Sequence, residues 1–163
     1  MTPAKPQTAS TLPTEELSPY EHAKKDSQSP YVSLKDRFSD ARGEIIPLVD
    51  RDMKSAVLIN SKKGTVRANH YHKTDWHYCY VVKGEIEYHH RPHGSTGPVQ
   101  IDIFREGDEF FTGPNIDHAM VFLKDTSFLT LGRNSREQEA YEADIERIEL
   151  VSPEAAKKRA EQA

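Results

Sequence analysis

Cysteine is almost absent from this 163-residue chain: Cys79 stands alone, which excludes an internal disulfide framework and any multi-cysteine zinc site. Long apolar runs are missing too. No uninterrupted apolar stretch exceeds five residues, against the roughly 20 needed to cross a bilayer. Met1 to Ser10 is polar and carries Pro3 and Pro6, so it offers neither the charged nor the apolar segment of a secretory leader. We therefore expect a cytoplasmic protein that makes no use of a membrane. Positive charge is in deficit as well: 22 Lys and Arg against 26 Asp and Glu give a formal net charge of -4. That balance leaves no electrostatic case for binding nucleic acid.

The length suits one domain. Hydrophobic residues make up 36% of the chain and charged residues 29%, with a mean hydropathy of -0.77, so a small core with polar extensions is expected. Five of the ten prolines (Pro3, Pro6, Pro13, Pro19 and Pro30) fall within residues 1–30 among Ser, Thr, Lys and Glu. Such a stretch has little apolar surface to offset the entropy of ordering, and we read 1–30 as a flexible arm.

From Tyr31 short β-rich runs follow one another, separated by Gly, Pro and Asp. They are Ile45 to Val49, Ala56 to Asn60, Trp76 to Lys83, Glu85 to Arg91, Val99 to Phe104, Ala119 to Leu123 and Ser127 to Leu131. This spacing predicts an all-β antiparallel sandwich or barrel over residues 31–150. Ser152-Pro153-Glu154 then reads as a helix start, with Ser as N-cap and Pro in the first turn. The remainder of 151–163 is short and charged, so we expect a frayed helical tail.

Histidine is what the chain has in quantity, eight in all. His70 and His72 stand two apart in a segment that reads as a strand, so both rings point to one face. His77 follows across a turn at Lys73-Thr74-Asp75, and His118 heads a later strand just past Gly113-Pro114-Asn115. In a closed barrel these four imidazoles can meet and hold one cation; the rival role for His70 and His72 is metal-free acid–base work. The remaining cluster, His89 and His90 with His93, adjoins a Pro/Gly/Ser-rich loop and is expected at a solvated hairpin end. Trp76 and Tyr78 alternate with His77 and should face away from the cavity as packing residues.

The spacing resembles the cupin superfamily. Gly64 is followed by five residues, then His70-Tyr71-His72, four residues, His77, six residues and Gly84, with histidine where the family usually has glutamate. Gly107-Asp108 to His118 follows the second cupin motif, with Gly113 in the usual proline position, Asn115 in a glycine position and Phe122 in place of a final asparagine. Asn tolerates the left-handed backbone that glycine would supply. The resemblance implies a jelly-roll β-barrel with one divalent metal ion per chain, held by His70, His72 and His118 with His77 in the fourth position. An all-imidazole site suits Fe(II), Ni(II), Zn(II), Co(II) or Cu(II), rather than Ca or Mg. Its uncompensated charge would favour an anionic ligand and polarise a carbonyl oxygen. The resemblance also implies a homodimer.

A narrower likeness runs through Arg67-Ala68-Asn69-His70-Tyr71-His72-Lys73, continued by Arg42-Gly43-Glu44-Ile45, Val81 to Glu85 and Tyr141 to Asp144. It is similar to the nucleotide-sugar epimerases and ketoisomerases of polysaccharide biosynthesis. That likeness implies proton transfer beside the carbonyl of a small keto-sugar, possibly nucleotide-linked, with His77 or Tyr88 as proton carrier and Arg67 and Lys73 pairing with substrate anions. The alternatives are a non-haem iron dioxygenase acting on a small chelating substrate, and a cupin that binds a small ligand without turnover.

Overall fold

The computed structural model describes residues 30–32 and 37–163, so almost all of the arm expected over 1–30 lies outside the described residues. Among the described residues eleven strands and two helices follow one another: β1 (Phe38–Asp40), β2 (Gly43–Ile45), β3 (Ser55–Ser61), β4 (Val66–His72), β5 (His77–Lys83), β6 (Glu85–Pro92), β7 (Gln100–Arg105), β8 (Glu109–Thr112), β9 (Ile116–Phe122), β10 (Thr126–Gly132), α1 (Gln138–Asp144), β11 (Ile145–Arg147) and α2 (Pro153–Gln162). Two antiparallel sheets face each other. One has the order β3-β10-β5-β8 and the other β11-β4-β9-β6-β7, while β1 and β2 form a separate hairpin. No helix among the described residues is long and apolar enough to cross a membrane.

Period-two alternation builds the core. Cys79, Val81, Ile86, Tyr88, Phe104, Phe110, Met120, Phe122 and Phe128 project from both sheets into one apolar cluster. β9 is buried along its whole length. Met120 and Phe122 face that cluster, while Ala119 and Val121 face outward into a second one.

The second cluster corrects the frayed tail. α2 packs Ala156 and Ala160 against Ala119, Val121, Leu123 and Val151, and Ser152 Oγ accepts a hydrogen bond from Ala155 N at 3.1 Å. A helix marginal alone is held here by tertiary burial. Its Arg159 also pairs with the buried Glu87, which reaches His89 at 2.7 Å. The expected solvated histidine cluster is corrected at His89 and His90 for the same reason, while His93 is exposed as expected. β6 is covered on both faces, so His89 is buried beneath α2 and His90 is buried with its Nε2 2.7 Å from Asp102. The run Ile45 to Val49 is likewise not a strand of either main sheet. β2 ends at Ile45, and Leu48 and Val49 pack over Tyr78, Phe111 and Leu131.

One irregularity sets the function-bearing face. A straight strand sends residues three apart to opposite faces, yet Arg67 and His70 both line the same cavity. The pairing of β4 with β9 slips between Ala68 and His70, and Ala68 and Asn69 have φ of 68° and 53°. This bulge reverses the phase of the strand, turning His70 and His72 inward. Asn69 pins it: its Oδ1 accepts from Leu150 N at 3.0 Å and Val151 N at 3.1 Å, and its Nδ2 donates to Val151 O at 2.8 Å. Replacing Asn69 with Ala removes these bonds and the residue's tolerance of positive φ, so unfolding free energy in urea should fall by about 2–3 kcal/mol. Asn69→Gly keeps the backbone freedom and should lose less; wild-type stability in both variants would show that the side chain does not hold the bulge.

Candidate functional site

The two sheets open at one end into a cavity of about 140 Å³, with His70, His72, His118 and His77 on its walls. The first three come from β4 and β9, where His70 and His118 are cross-strand partners. Their rings lie 4.8 Å apart centroid to centroid, as do those of His70 and His72. One ring nitrogen from each of His70, His72 and His118 lies within 4.8 Å of the other two. His77 reaches the cavity from the opposite sheet, its ring 5.3 Å from His72 and 5.9 Å from His118.

Burial keeps these rings neutral. It pushes His70 down to about 2, aided by His118 and His72, and His118 down to about 3, aided by His72. His77 is driven well below 6.5 by burial and the three neighbouring imidazoles. His72 is also lowered by burial, against the opposing pull of Asp75 and Asp144.

Hydrogen bonds orient two of the rings. His118 Nδ1 lies 2.9 Å from the Ile116 carbonyl oxygen, which can only accept, so Nδ1 carries the proton and Nε2 the lone pair. That Nε2 is buried with no protein partner. His72 Nδ1 lies 3.3 Å from Asp144 Oδ2. Burial alone would raise the Asp144 carboxyl, but hydrogen bonds from Thr74 and Asp75 hold it below its ordinary value. With Nδ1–H directed at this carboxylate, the Nε2 lone pair of His72 is free for the cavity.

No protein-family model matches the chain, and no curated protein matches it in sequence. Solved structures do resemble it. A variant of the QdtA 3,4-ketoisomerase from Thermoanaerobacterium thermosaccharolyticum, in complex with TDP-4-keto-6-deoxyglucose, is 14% identical, with 78% of this chain and 90% of that one covered and a TM-score of 0.57. A 3,4-ketoisomerase from Helicobacter canadensis is 18% identical over 77% of this chain and 92% of that one, with a TM-score of 0.57. The rmlC epimerase of Mycobacterium tuberculosis is 15% identical over 74% of this chain and 68% of that one, with a TM-score of 0.58. At these identities the likeness concerns architecture alone. The fold is a cupin jelly roll.

Within the cupin cavity the other residues singled out in the sequence divide. Arg67 is on the wall, its guanidinium held by Ser61 Oγ at 2.7 Å and Asn60 O at 3.3 Å. Lys73 is half-exposed outside it, 3.5 Å from Glu146. Tyr88 is buried in the core rather than on the wall, its hydroxyl 2.8 Å from Thr112 Oγ1 and its ring 6.1 Å from His118. Trp76 and Tyr78 face away and pack with Phe111.

Three charged or aromatic cavity residues carry no site role read from the sequence: Asp75, Arg136 and Tyr141. Tyr141, on α1, places its ring 6.2 Å from His70 and 5.9 Å from His72, beneath the Arg136 guanidinium at 4.2 Å. Its only advance signal is its place in the stretch Tyr141 to Asp144. Asp75 is buried, and burial raises its carboxyl.

The three-histidine set fits a divalent transition ion on its donor chemistry: neutral imidazoles, converging nitrogens and one orphaned buried Nε2. The same neutrality can be observed directly. Between pH 8 and pH 5 the long-range ¹H–¹⁵N NMR signals of His70 and His118 should stay those of neutral rings, with His118 as the Nδ1–H tautomer. Protonation of either near pH 6 would contradict the buried arrangement.

Proposed function

We propose that this cupin is an isomerase or epimerase acting on a small keto-sugar, nucleotide-linked, by proton transfer beside its carbonyl. The observation that carries the reading is the His72–Asp144 pair with Tyr141 beside it on the cavity wall, 5.9 Å between the rings. The likeness in fold to ketoisomerases and an epimerase supports it.

His72 is neutral and oriented, with Asp144 behind Nδ1 and the Nε2 lone pair available for the proton on the carbon next to a ketone. As that C–H bond breaks, its electron pair moves onto the carbonyl oxygen. The cationic Arg67 and Arg136 on the cavity wall oppose the charge that develops there. Tyr141, on the same wall, is a second proton carrier, a hydroxyl donor. Return of a proton to the neighbouring carbon moves the ketone; return to the opposite face of the same carbon inverts the centre. Asp144 holds the base in its tautomer and stabilises it once protonated.

In D₂O, TDP-4-keto-6-deoxyglucose should acquire deuterium beside its ketone with no uptake of O₂. His72→Ala and Tyr141→Phe should each slow this at least ~100-fold. Oxygen consumption would favour the dioxygenase, and binding without exchange a ligand-binding protein; either ends the isomerase reading.

A second reading rests on the orphaned His118 Nε2. His70, His72 and His118 would hold a divalent transition ion, with His77 beside it. The ion would supply Lewis-acid polarisation of the carbonyl. His72 would then serve as a ligand, and the acid–base work would pass to His77. Elemental analysis of protein purified without an affinity tag separates the two. About one metal per chain, lost in His72→Ala, supports the metal reading; activity that survives chelation in metal-free protein removes it.

A further inference from the structure

Residues 133–144 leave β10 at Gly132, arch over the cavity and return into β11 at Ile145. Between the ends of this strap there is little to hold it. α1 has no buried residue, and its N-terminus lacks a side-chain cap. Yet two cavity groups ride on it, Arg136 and Tyr141.

The ends are tied to one place, the turn between β4 and β5. On the outgoing side Arg133 Nη1 donates to Thr74 O at 3.1 Å and Asn134 Nδ2 to Thr74 Oγ1 at 2.9 Å, while Asn134 N donates to Asp75 Oδ1 at 2.9 Å. On the returning side Thr74 N and Thr74 Oγ1 both donate to Asp144 Oδ1, at 2.9 Å and 2.6 Å. Asp75 N donates to Asp144 Oδ2 at 3.1 Å. The Thr74 hydroxyl therefore accepts from one end of the strap and spends its single proton on the other. No other side chain in the clasp touches both ends through one atom.

We infer that Thr74 is the positioning residue of the cavity: its hydroxyl clasps the strap 133–144 and thereby sets where Tyr141, Arg136 and the Asp144 carboxylate stand over the site. A segment with no buried residue, held between its ends by the Tyr141 ring contacts and the Glu142–Arg147 pair, depends largely on its end contacts for order. Loss of the clasp frees Tyr141 and Arg136 together, and loosens the carboxylate behind His72.

The test compares Thr74→Val, which keeps the shape and loses the hydroxyl, with Thr74→Ser, which keeps the hydroxyl. The first readout is amide hydrogen exchange in the full chain. Thr74→Val should exchange across 135–143 at least ~10-fold faster than wild type, with β5 and β9 unchanged, while Thr74→Ser stays within about twofold. Asn134→Ala, which cuts only the outgoing side-chain bond, should fall between them. Equal protection of the strap in folded Thr74→Val, or loss in Thr74→Ser as large as in Thr74→Val, overturns the proposal. Should Thr74→Val not fold, wild-type protection in Asn134→Ala overturns it instead.

For its kinetic consequence the inference rests on the proton-transfer reading. With TDP-4-keto-6-deoxyglucose in D₂O, kcat should drop at least ~10-fold in Thr74→Val, with KM changed far less, and return in Thr74→Ser. A wild-type chain that exchanges no substrate proton defeats that reading alone; the amide exchange of the strap decides the clasp separately.

Discussion

The site depends on a reversal of strand phase at Ala68 and Asn69. Side chains alternate along a strand without exception unless a residue is added, and here one is. Upstream of it Arg67 faces the cavity; downstream, His70 and His72 do. Both residues at the bulge hold positive φ, which an alanine adopts at a cost. What offsets that cost lies more than 75 residues away, where the Leu150–Val151 backbone is bonded to Asn69. The segment entering α2 is thus tied to the orientation of the cavity histidines, though α2 itself packs on the outside of the sheet.

Gathering four imidazoles into one small cavity works only because none is charged. Burial withholds the proton, and each ring discourages protonation of its neighbours. The ring nitrogens are left with lone pairs rather than charge, which suits either a base or a ligand. Positive charge in the cavity is supplied instead by Arg67 and Arg136 on its walls. Acceptors stand in the middle of the cavity and cations on its walls, the arrangement on which the proposed keto-sugar reading draws. The carboxyls of Asp144 and Asp75 beside His72 distinguish this imidazole from its neighbours in the cavity.

Much of the barrel was legible because it repeats a local rule. Alternation and turn residues marked β3, β5, β6, β7 and β10 to within a residue or two, and the later part of β9. Asn115 adopts the left-handed turn, with φ of 57°, that its place in the motif required. His70, His72, His77 and His118 come together because strand spacing and barrel closure are both readable from the chain. What escaped depends on distant surfaces. The burial of His89 and His90 needs a helix above and a barrel wall below. The docking of α2 needs Ala119 and Val121 to present an apolar floor. Arg136 sits in the irregular segment before α1 and Tyr141 on α1, a polar helix with no buried residue, so nothing local sends them to the cavity. Tyr88 alternates correctly, but it lies far enough down β6 to join the core.

The division of labour between barrel and strap bears on how such a protein can diverge. The imidazoles stand on strands whose register is shared by several neighbours, so a change there disturbs the whole sheet. Arg136 and Tyr141 stand on a crossing piece secured mainly at its footings, outside the hydrogen-bonded ladders of the sheets. A lineage could therefore rewrite the arch, and with it the groups that Tyr141 and Arg136 bring over the site, while inheriting the imidazoles beneath it unaltered.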